Sequence, residues 1–106
     1  MFYEPAKNDH GLPYNPFKAL VAPRPIGWIS ALGPNGAVNL SPYSFFNAVS
    51  DTPPMVAFSV AGHKDALVHA EESGEFVCSL ATWELREAMN LTSAPLPRGE
   101  SEMVLA

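Results

Sequence analysis

The chain has 106 residues, 47% hydrophobic and only 16% charged, which holds one small domain rather than two. Its net charge of −5 argues against nucleic acid or an anionic membrane as the main partner. Its eleven prolines argue against a helical bundle, because each removes a backbone donor and fixes φ. The charged share is low against the usual roughly 25%, so part of the surface is expected to lie against something else.

Residues 1–22 mix Pro5, Gly11, Pro13, Asn15 and Pro16 with isolated aromatics, and predict an extended arm with one short helical turn near Phe17 to Val21. The stretch also carries Glu4, Lys7 and Asp9 and lacks the apolar region of a signal peptide, so the cytoplasm is the expected compartment. Residues 26–32 are rich in strand formers and run into Gly33-Pro34-Asn35-Gly36, a turn signal, which predicts a hairpin with a return strand over 37–42. Pro42 is expected to interrupt that ladder. Residues 43–50 alternate aromatic and polar side chains without a strand assignment, and Pro53-Pro54 closes them.

Residues 55–60 read as a short apolar strand. The period then changes: Ala66, Leu67 and Ala70 predict a helix from Asp65, its candidate N-cap, to a stop at Gly74. A strand over 75–80 follows, and then a helix capped by Thr82 with Leu85, Ala88 and Met89 on one face. Four strands leave open edges in any small barrel, so a second chain or further residues are expected to cover them. No apolar run approaches the roughly 20 residues of a membrane helix.

A Ser-His-Asp hydrolase finds no Gly-x-Ser-x-Gly elbow, and Cys78, alone in an apolar strand, is expected to be an inert thiol. With one Cys and three His a metal site is not expected. Neither Gly33-Pro34-Asn35-Gly36 nor Gly62-His63-Lys64-Asp65 completes a dinucleotide or Walker fingerprint. What remains is a set of small polar residues within apolar segments: Ser30, Asn39, Ser41, Ser44, Asn47, Ser50 and Ser59. A planar cofactor with a phosphate would satisfy many of them at once; bonds to backbone at turns and bulges are the plainer alternative. Arg24, between two prolines, suits bidentate phosphate contact or an ordinary ion pair, and Lys64 stands before a helix start where an anion is favoured. Trp28, Phe45 and Phe46 suit either the flank of a flat ring or a simple core.

The blocks Arg24-Pro25-Ile26-Gly27-Trp28-Ile29-Ser30, Asn39-Leu40-Ser41-Pro42-Tyr43-Ser44-Phe45-Phe46-Asn47, Pro53-Pro54-Met55, Lys64-Asp65 and Gly74-Glu75-Phe76 resemble, in order and spacing, the flavin reductase-like FMN-binding split-barrel family. The resemblance implies a mainly β fold, a Greek-key split β-barrel with short helices, of which residues 23–106 would be the N-terminal part. It implies a homodimer with FMN near the interface, NADH or NADPH as hydride donor to flavin, and in some members a flavin-dependent monooxygenase as partner. A non-enzymatic flavin-binding or electron-transfer module, or an inactive half-barrel, are the alternatives. Carried over by position, the cofactor contacts are Arg24, Trp28, Ser30, Asn39, Ser44, Asn47, Ser59 and Lys64; no catalytic side chain is assigned. Two departures stand out, His69-Ala70 where relatives often have Asn-Ile and Cys78-Ser79-Leu80 where they often have Val-Asn-Leu.

Overall fold

A computed structural model of the chain describes residues 2–34, 36–61 and 65–94. In chain order these form α1 (Phe17–Leu20), β1 (Gly27–Leu32), β2 (Val38–Tyr43), β3 (Phe46–Ser50), β4 (Met55–Phe58), α2 (Asp65–Ser73), β5 (Val77–Ser79), a 3₁₀ turn (Trp83–Leu85) and α3 (Arg86–Leu91). β1 is the centre of an antiparallel sheet ordered β2-β1-β5, and β3 and β4 form a separate antiparallel pair.

The predicted β1–β2 hairpin is present, with Gly27 opposite Tyr43 and Leu32 opposite Val38. Its turn closes through Gly33 N–H to the Ala37 carbonyl at 2.8 Å, and Gly36 takes φ +82°, a left-handed conformation that glycine adopts without a Cβ penalty. Contrary to expectation, β2 runs through Pro42, which pairs with Trp28. β2 is an edge strand among the described residues, and an edge tolerates a missing donor.

β3 is the strand that the sequence reading lacked. Phe46 and Ser50 are half-buried while Asn47, Ala48 and Val49 are exposed, so its period of two carries little hydrophobic contrast. A register shift between Ala48 and Ser50 irregularly bends the pair, and Ser59 N–H extends it by bonding the Phe45 carbonyl at 2.9 Å.

α2 lies across β1 and β2 and buries Ala66 and His69 at helical spacing. Gly74, at φ +79°, ends it with an N–H bond to the Ala70 carbonyl at 2.8 Å, as the sequence predicted. Thr82 makes no side-chain capping bond; extended backbone there leads into the 3₁₀ turn, where Arg86 Nη1 donates to the Trp83 carbonyl at 2.8 Å.

The apolar core is Trp28, Ile29, Ala31, Leu40 and Ala66, all around β1. Outside it Val49, Val77, Leu80 and Trp83 are exposed, β2 and β5 each have one unpaired edge, and the described residues do not close a barrel. No helix among the described residues is long and apolar enough to cross a membrane.

Candidate functional site

The site begins with the segment between α1 and β1. Arg24 folds back on that helix, and its Nη1 donates to the Lys18 carbonyl and, at 2.9 Å, to the Val21 carbonyl. A cation thereby satisfies carbonyls that a helix end leaves without partners. These bonds use one corner of the guanidinium. Nε is buried and without a hydrogen-bond partner, an orphaned donor of the kind that a bound anion would satisfy. The guanidinium carbon lies 5.6 Å from the centroid of the Phe45 ring, and Lys18 Nζ lies 5.9 Å from the same centroid.

Phe45 begins one wall of an open cleft of about 360 Å³, whose lining includes Arg24, Ser44, Phe46, Asn47, Phe58 and Ser59. Tertiary structure makes this convergence: β3 supplies Phe46 and Asn47, the β2–β3 connection supplies Ser44 and Phe45, and the end of β4 supplies Phe58 and Ser59. Asn47 Oδ1 accepts the Ala48 N–H at 2.8 Å, so its amide N–H groups remain as donors. The backbone bond from Ser59 to Phe45 holds the two walls together. The phenyl ring of Phe46 lies directly against Gly27, where an added Cβ would meet ring Cδ1 at 2.4 Å. Apolar walls with one guanidinium and several neutral polar groups suit a flat ligand that carries an anion.

The other positions singled out in the sequence lie elsewhere. Trp28 is in the core, 6% exposed, and its indole N–H donates to Thr92 Oγ1 at 2.9 Å. Thr92 in turn donates to the Met89 carbonyl at 2.7 Å, so Trp28 anchors the end of α3. Asn39 is buried opposite Ala31, and Ser30 lines a second groove of about 320 Å³ with Phe76 and Val77. Lys64 lies outside the described residues. His69 is buried, with its Nε2 3.1 Å from where a Cβ on Gly33 would stand, and it does not line the cleft. Cys78 is exposed on β5, and its partial burial still raises the thiol pKa. Among the described residues no cluster of His, Cys, Asp or Glu could hold a metal ion.

Lys18 and Thr92 are the residues that sequence reasoning missed. Lys18 meets Phe45, and Thr92 meets Trp28 across 64 positions, through packing that leaves no local signal.

Antiparallel sheets beside an open, aromatic-walled cleft define a mainly β domain. The family described as flavin reductase like domain matches residues 20–106, and the chain belongs to it. The chain is 39% identical to YwrF of Bacillus subtilis over 94 residues, covering 85% of this chain and 46% of that protein. It is also 39% identical to a protein of Aquifex aeolicus over 83 residues, covering 74% of this chain and 42% of that one. In structure it is similar to nitrilotriacetate monooxygenase component B from Bacillus cereus, with TM-score 0.82 and 30% identity, over 99% of this chain and 54% of that one. It is similar too to the 2-nitrobenzoate 2-nitroreductase NbaA of Pseudomonas fluorescens, with TM-score 0.73 and 32% identity, over 81% of this chain and 42% of that one. The chain thus spans about half the length of the proteins it matches.

Proposed function

We propose that the chain is an FMN-binding oxidoreductase of the flavin reductase type, acting within a split-barrel homodimer in the cytoplasm. The observation that carries this reading is the convergence of Arg24, Ser44, Asn47 and Ser59 on one aromatic-walled cleft, in a chain that belongs to the flavin reductase like domain family. The buried Nε of Arg24, without a partner, fits a phosphate, and the rings of Phe45, Phe46 and Phe58 fit the faces of a flat heterocycle. Bound flavin would supply the acceptor for a hydride from NADH or NADPH.

The chain's own groups then bind and orient. The guanidinium of Arg24 holds the anion, and the amide N–H groups of Asn47 and the hydroxyls of Ser44 and Ser59 hydrogen-bond ring or ribityl oxygens and nitrogens. Phe45 and Phe58 exclude water from one side. Among the described residues that line the cleft there is no carboxylate or imidazole, and none of them is assigned a proton-transfer role. Similarity to a monooxygenase component B supports a role in handing reduced flavin to a flavin-dependent monooxygenase.

The test is purified protein titrated with FMN and followed by flavin fluorescence, then mixed with NADH or NADPH at 340 nm. Saturable FMN binding with oxidation of the nicotinamide is expected. A protein that neither binds flavin nor oxidises NAD(P)H would overturn the proposal. A protein that binds FMN tightly but is not reduced in stopped flow would instead be an electron-transfer or flavin-binding module.

A further inference from the structure

The basic side chains among the described residues are Lys7, Lys18, Arg24 and Arg86. Lys7 is held by Glu4 at 2.8 Å. Arg86 lies 3.8 Å from Glu87 and stacks on Trp83 at 3.9 Å. Among the described residues Lys18 and Arg24 have no carboxylate partner, and both stand beside the ring of Phe45, which with Arg24 lines the cleft. On a chain of net charge −5, two cations without acidic partners at one ring make a local positive site.

Their positions are coupled. Arg24 binds the carbonyl of Lys18 itself, so the guanidinium fixes the backbone from which the ammonium projects. The corner of Arg24 that does this is Nη1, while Nε is buried and without a partner. A planar guanidinium and an exposed ammonium beside the same ring offer complementary contacts to phosphate oxygens: the first fixes geometry and the second adds a point charge.

We propose that Lys18 and Arg24 are a phosphate-recognising pair at the Phe45 side of the cleft, with Lys18 as a determinant of selectivity for phosphorylated over unphosphorylated ligand. The proposal rests on the cleft being a nucleotide site. Its phosphate ester belongs to FMN or to a nicotinamide dinucleotide, which share this chemistry.

The experiment compares the wild-type chain with Lys18→Gln, Lys18→Arg and, as a charge-matched control, Lys7→Gln. Each is titrated with FMN, riboflavin and NADH by fluorescence. Loss of one charge-assisted contact should weaken FMN roughly tenfold in Lys18→Gln, leave riboflavin unchanged, and be largely restored in Lys18→Arg. Lys7→Gln should behave as wild type. If Lys18→Gln weakens NADH and spares FMN, the pair stands and its phosphate belongs to the nicotinamide nucleotide. Wild-type affinity of Lys18→Gln for both nucleotides overturns the proposal, as does an equal loss in Lys7→Gln. If the wild type binds neither FMN nor riboflavin, the flavin reading fails by itself. Inorganic pyrophosphate then decides the pair: nitrogen NMR shifts at Arg24 Nε and Lys18 Nζ retain it, and unmoved signals overturn it.

Discussion

Replacing Gly27 by alanine tests the contact on which the cleft and the main sheet both depend. A Cβ at Gly27 would lie 2.4 Å from Cδ1, 2.6 Å from Cγ and 3.0 Å from Cε1 of Phe46. Cγ sits at the root of the ring, so a rotation of the ring about its own axis relieves nothing and the whole side chain or the start of β3 must move. Overpacking of this kind costs about 1–3 kcal/mol. Against it, alanine reduces the freedom of the unfolded chain and returns about 0.4–1 kcal/mol. The balance is a destabilisation of about 1–2 kcal/mol, or a urea midpoint lower by about 1 M for a slope of roughly 1–2 kcal/mol/M. Phe46 lines the cleft, so FMN affinity should fall as well. The assay is urea unfolding of Gly27→Ala, Phe46→Ala and the double variant. The Gly27→Ala penalty should vanish in the Phe46→Ala background. A Gly27→Ala protein as stable as the wild type, or the same penalty in both backgrounds, would refute the reasoning.

Thr92→Val keeps the shape of the side chain but removes the acceptor for the buried Trp28 indole N–H, and should cost about 1–3 kcal/mol in urea unfolding with a shifted tryptophan emission. Arg24→Ala frees the Lys18 and Val21 carbonyls and should lower stability by about 1 kcal/mol, while FMN affinity falls further than in Lys18→Gln. Cys78 has a thiol pKa raised by desolvation, so its alkylation by iodoacetamide should be slower than that of a free cysteine peptide at the same mildly alkaline pH, and should climb with pH. The sign for stability follows: the protonated thiol is the form that the fold favours, so the contribution is present below the unfolded pKa and lost as pH rises through the raised folded value. An alkylation rate equal to that of the peptide would show that β5 leaves the thiol fully hydrated.

The hairpin of β1 and β2 and the end of α2 were readable in the sequence because each is specified locally. Gly36 and Gly74 occupy left-handed positions that turn and helix-stop signals mark out, and the apolar run of β1 is buried on both faces at Trp28 and Ile29. β3 was not readable for the opposite reason. Its residues face a cleft and solvent, so no contrast between Phe46-Ala48-Ser50 and Asn47-Val49 announces a buried face. Pro42 misled because a proline's effect depends on whether its strand is central or at an edge, and that is a property of topology.

The site divides along the same line. Arg24, the pair Ser44 and Asn47, and Ser59 come from three separate stretches of the sequence, and packing of the β3–β4 pair against the segment before β1 puts them on one cleft. Trp28 stands within the same motif as Arg24, four positions on, yet its ring goes to the core, where it holds Thr92. One motif thus combines a residue that lines the cleft with a residue that builds the support beneath it. Arg24 does both: its Nη1 ties the end of α1 to the chain before β1, and its side chain lines the cleft. Low charge has a matching explanation. Of the described basic residues, Lys7 and Arg86 pair with neighbouring glutamates, while Lys18 and Arg24 are gathered at Phe45, so that among the described residues positive charge without an acidic partner stands at this ring. Among the described residues an anionic ligand is therefore favoured at Phe45, beside the cleft where aromatic walls and neutral hydrogen-bonding groups also meet.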